Sequence, residues 1–115
     1  MNVSPLPQDR NRRATVRKAI RGPATVVQGD VARPVQTWDL GRDGMCLLAP
    51  RPIAPGTRCK ITFELPIAGE PATVTTAAKV VYSSYSAPGE FKIGAVFTDL
   101  DESIARVLEA FAAAG

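Results

Sequence analysis

Six stretches rich in β-branched and aromatic residues, each cut off by glycine or proline, constrain this chain more than any other feature. Residues 24–28 (ATVVQ) stop at Gly29-Asp30, residues 35–39 (VQTWD) run into Gly41, and residues 45–48 (MCLL) close at Pro50 and Pro52. After the Pro55-Gly56 turn, residues 59–65 (CKITFEL) alternate, placing Cys59, Ile61, Phe63 and Leu65 on one face. Residues 66–69 form another turn, residues 72–82 a longer β segment, and Pro88-Gly89 leads into residues 91–97. There Phe91, Ile93, Ala95 and Phe97 share one side. Short alternating runs between breakers read as antiparallel strands. The period then changes: Ile104, Val107, Leu108 and Phe111 make one stripe of an amphipathic helix. Asp99 with Glu102 resembles a capping box, and Asp101 is a second cap candidate. Closing a sheet removes its exposed edges. The expected fold is therefore all-β, six or so antiparallel strands in a closed or nearly closed β-barrel with one C-terminal α-helix across an opening or the outer face.

A chain of 115 residues has room for one domain with a real core. The expected layout is a lead-in over 1–9 and a single domain over 10–115. Within it, a basic strap covers 10–21, the barrel 22–98 and the helix 101–113. The strap lacks an amphipathic period and precedes Gly22-Pro23, so it reads as loop or extended chain. No apolar run approaches the roughly 20 residues a bilayer crossing needs, and residues 1–8 lack the pattern of a secretory leader. Membrane insertion is not expected, and the cytoplasm is the expected compartment. Cys46 and Cys59 lie in different apolar segments, so both are expected reduced and buried.

Catalytic signatures are scarce. The chain has no histidine, which removes the commonest general base and metal ligand. Ser83, Ser84 and Ser86, in a stretch that reads as turn, have no histidine to activate them. Neither glycine-rich phosphate-binding motif occurs. The residues point to a binding protein, not an enzyme, with no metal and no resident cofactor.

Charge says what kind of ligand. Arg10, Arg12, Arg13, Arg17, Lys18 and Arg21 stand against Asp9 alone in the first 22 residues, while the remainder is mildly acidic. Guanidinium groups pair with phosphate oxygens and stack on flat rings, so the first segment suits an anion carrying both. The second distinctive cluster is Asp39-Leu40-Gly41-Arg42-Asp43-Gly44, between two expected strands.

Together, Arg13-x-x-x-Arg17 before the first strand and Asp39-x-x-x-x-Gly44 after the second resemble the PilZ domain, whose signature is RxxxR followed by [D/N]xSxxG. The stretch from Lys92 to Leu100 is similar to that family's last strand and the start of its terminal helix. The resemblance spans roughly residues 10–112. It implies a six-stranded barrel that binds the second messenger cyclic di-GMP. Arg13 and Arg17 would contact phosphates and guanine faces, joined by Arg12 if two copies bind. Asp39 would accept hydrogen bonds from a guanine edge, and Gly44 would let the turn close tightly. Gly41 replaces the motif serine, which removes one hydrogen bond, and Arg42 beside it is a candidate to restore a phosphate contact.

Three functions compete. The first is a cyclic di-GMP receptor that orders its arginine strap on binding and signals to a separate protein, in motility, adhesion, exopolysaccharide synthesis or development. The second is a PilZ-like adaptor without nucleotide binding, favoured by Gly41 and opposed by Arg13, Arg17, Asp39 and Gly44. The third is a barrel for nucleic acid, supported by the basic segment. The acidic remainder and the lack of an aromatic row oppose that one.

Overall fold

The computed structural model describes residues 17–113. Alternation becomes six strands: β1 (Arg17–Gln28), β2 (Val31–Gly41), β3 (Gly44–Ala49), β4 (Arg58–Ile67), β5 (Glu70–Ala87) and β6 (Glu90–Phe97). They are followed by one helix, α1 (Glu102–Ala113). All neighbours pair antiparallel in the ring order β1-β2-β3-β6-β5-β4. The β1–β4 ladder, from Ala24↔Phe63 to Val27↔Lys60, closes the barrel.

Inward positions hold the side chains that the alternation puts on one face. Val26, Leu40, Met45, Leu47, Ile61, Phe63, Leu65, Val80 and Ile93 are all buried. Each such side chain contributes about 1.5–3 kcal/mol when removed from water. Helix α1 packs against β1 and β2 and completes this core with Leu108, while Ile104, Val107 and Phe111 pack partly buried around it. The cap is Asp101, whose Oδ1 accepts hydrogen bonds from the Ser103 backbone N–H at 2.8 Å and the Ser103 hydroxyl at 2.9 Å. These bonds hold the Asp101 carboxyl below its ordinary pKa. Asp99 does not form the expected capping box. It adopts a left-handed backbone conformation (φ 53°) and turns the chain out of β6 into the helix.

The strand limits depart from expectation in two places. Residues 17–21 are not loop: β1 begins at Arg17 and runs through Gly22-Pro23. Pairing with β4 starts only at Ala24, so Pro23 occupies an edge-like position where a missing N–H is tolerated. The second departure is β5, which continues past Tyr82 to Ala87 and takes Ser83, Ser84 and Ser86 into the sheet. The segment before Arg17, including Arg10, Arg12 and Arg13, lies outside the described residues.

Candidate functional site

Of the register irregularities in β1, β2 and β5, one on β2 and one on β5 frame the outer face. On β2, Thr37 and Leu40 are both buried although three residues apart. A regular strand cannot turn both inward, because its side chains alternate. The register resolves the mismatch: Thr37 pairs with Leu47 and Asp39 with Cys46, leaving Trp38 as the extra residue. Trp38 and Asp39 can then stand side by side on the outside, the kind of re-aiming bulges accomplish near functional sites. On β5, Val80 pairs with Ala95 and Tyr82 with Gly94, so Val81 is extra and both Val81 and Tyr82 are exposed.

Between the bulges the register aligns one outward row across five strands: Ala19, Asp39, Cys46, Gly94 and Tyr82. Arg17, two residues before Ala19, shares that face. Its Nη1 donates to Asp39 Oδ1 at 2.6 Å and to the Gly44 carbonyl at 3.5 Å. The pair is partly solvent-exposed (side chains 43% and 29%). It uses only part of a guanidinium that carries five N–H donors. An anion approaching this face meets a cation already held in place.

Gly41 ends β2 opposite Arg17, and Arg42 is exposed in the two-residue connection to Gly44. The Phe97 N–H donates to the Asp43 carbonyl at 2.9 Å and ties this connection to β6. Gly44 is required for a reason other than turn closure. A methyl group there would fall on the Ala95 carbonyl oxygen of the neighbouring strand. Its hydrogen admits a close strand approach, and its φ is not positive. Of the expected site residues, the fold gathers Arg17, Asp39, Gly41 and Gly44 in one corner. Arg42 stands at its rim, and Arg12 and Arg13 lie outside the described residues.

Sequence reasoning assigned no role to Tyr82. Its ring covers Gly94, where a β-carbon would collide with it, and its hydroxyl donates to Cys46 Sγ at 3.6 Å. An isolated glycine among Phe91, Ile93, Ala95 and Phe97 was the available signal, since glycine within a strand marks a close approach. Burial, first, pushes the Tyr82 phenol up to about 12. The Cys46 contact and the charges of Cys46 and Asp39 add to the rise, and Arg17 opposes it. Since the folded value lies above the ordinary 10.0, the fold favours the neutral phenol. That contribution is complete below pH 10 and is lost as pH rises through about 12. Spectrophotometric titration of the native protein should show one tyrosine ionising near pH 12, and Tyr82→Phe should abolish that phase. Cys46 and Cys59 are both free and buried, and burial pushes the Cys59 thiol up. Among the described residues no cluster of metal-ligating side chains occurs, and no helix is long and apolar enough to cross a membrane.

A family model described as PilZ domain matches residues 11–114. No curated protein matches the chain. Among solved structures, the Bacillus subtilis inhibitor of motility (MotI/DgrA) superposes with a TM-score of 0.75 at 15% identity, covering 88% of this chain and 49% of that one. Escherichia coli YcgR in complex with c-di-GMP gives 0.65 at 19% identity, over 84% and 42% of the two chains. Borreliella burgdorferi PlzA in complex with c-di-GMP gives 0.60 at 14% identity, over 91% and 43%. The chain thus spans less than half the length of each of these three proteins.

Proposed function

The chain belongs to the PilZ domain family, and from that membership we propose that it is a receptor for cyclic di-GMP that signals through a separate protein partner. The observation that carries the reading is the convergence of Arg17, Asp39 and Gly44, the three motif residues within the described part, on one outward corner of the barrel. Two structural neighbours, YcgR and PlzA, are complexes with the same dinucleotide. In this reading Arg17 and Arg13 bind phosphates and guanine faces, with Arg12 added when two copies bind. Asp39 takes a guanine edge through its two acceptor oxygens. Ligand holds the arginines that precede Arg17 against the barrel and so changes the surface a partner meets. The reaction is binding alone; no catalytic step is involved.

Gly41 lowers the expected affinity. The missing serine hydroxyl removes a hydrogen bond worth about 0.5–1.5 kcal/mol, up to roughly tenfold in affinity. Calorimetric titration of the full chain with cyclic di-GMP tests the receptor reading. Gly41→Ser should bind up to about tenfold tighter than wild type. A weaker Gly41→Ser would show that a side chain at this buried position obstructs the ligand. The second reading, an adaptor without nucleotide, rests on Gly41 itself and prevails if wild type takes up no dinucleotide at millimolar concentration.

A further inference from the structure

Beside the Arg17–Asp39 pair lies a second polar cluster that no sequence motif includes. The β2 bulge leaves Trp38 next to Asp39, outside the inward-facing set. The Arg21 guanidinium carbon sits 3.7 Å from the centre of the Trp38 ring, a stacking distance. Arg21 Nη1 donates to the Trp38 backbone carbonyl at 2.5 Å. Lys92 brings its ammonium to 4.9 Å from the same ring centre. Arg21 lies four residues beyond Arg17 on the same strand, and both are exposed. A ring beneath it and a carbonyl at its edge hold this guanidinium in one orientation.

We propose that Arg21, supported by Trp38, is a stacking platform for a purine base of cyclic di-GMP, with Lys92 as the adjoining cation for a phosphate of the same ligand. The proposal rests on the receptor reading above and extends its site along β1. A guanidinium is planar and stacks on aromatic faces, whereas an ammonium is a point charge without a flat face. Ordering a long side chain on binding costs entropy, and the Trp38 contacts have already ordered this one. The platform lies on the same outer face as Arg17, so one ligand or an intercalated pair reaches both. It adds stacking where Gly41 has removed a hydrogen bond.

The test uses the full chain, cyclic di-GMP, calorimetry and fluorescence. Trp38 is the only tryptophan in the sequence, so its emission reports this spot alone. Saturating ligand should change that emission. Arg21→Lys keeps the charge and loses the flat face, and should weaken binding about fivefold, the low end of a base-stacking contact. Trp38→Leu should weaken it by a similar factor, and thermal melting of both variants checks that they fold. If Arg21→Lys binds as wild type does, or Trp38 emission is unchanged at saturation, the platform is overturned while the receptor reading stands. If wild type gives neither heat nor an emission change, the receptor reading fails and the platform with it.

Discussion

Replacing Arg17 by alanine should weaken cyclic di-GMP binding about 10- to 100-fold and leave the unfolding midpoint almost where it was. In the proposed receptor, the binding loss follows from removing a charge-assisted hydrogen bond to phosphate, typically about 1.5–3 kcal/mol. The small stability effect follows from the exposure of the Arg17–Asp39 pair. Exposed ion pairs contribute about 0–1 kcal/mol to folding. A residue whose loss damages binding far more than folding is placed for a ligand. Calorimetry and urea unfolding on the same preparation separate the two effects. If binding is unchanged, Arg17 does not touch the dinucleotide; if folding collapses as well, the ion pair is structural.

Gly44→Ala should show the reverse order of effects, with stability suffering first. A β-carbon at this position meets the Ala95 carbonyl and the backbone of Val96, neither of which can rotate away. Strands β3 and β6 would have to part along the ladder that runs from Gly44↔Val96 to Ala49↔Phe91. Overpacking of this kind costs about 1–3 kcal/mol and occasionally more. The measurement is the urea midpoint. Gly94 offers an internal control, because the atoms crowding its β-carbon belong to the Tyr82 ring. A ring at the surface can swing outward, so Gly94→Ala should cost less than Gly44→Ala. Equal losses would mean that the β3–β6 ladder yields more easily than the register suggests.

The reasons for what was legible in the sequence are local. Residues 59–65 alternate without interruption, and β4 contains them with Ile61, Phe63 and Leu65 buried. The helical stripe is as clear, with Leu108 fully buried in α1. Bulges and proline hid the remainder. Alternation breaks at Val81, so the serines beyond Tyr82 look like a turn although β5 continues through them. Gly22-Pro23 reads as a break until the pairing shows that β1 has no β4 partner at Pro23. The same limit applies to the candidate site. Asp39 and Gly44 are close in sequence, and spacing identifies them. The neighbours of Asp39 on the outer face include Cys46, and through Gly94, Tyr82, joined only by the ladder across three other strands. Arg21 and Trp38 meet across two strands, and nothing in either segment alone announces the contact.

The Tyr82 ring also covers one of the two thiols of this chain. Cys46 is next to the Arg17–Asp39 corner, yet the ring over Gly94 and the hydroxyl at its sulfur keep it covered. Cys59 is shielded in the core, and its raised pKa holds it in the slow-reacting thiol form. Alkylation of Cys46 therefore requires the Tyr82 ring to move aside. In the proposed receptor, a dinucleotide resting on this face would change the rate of that reaction.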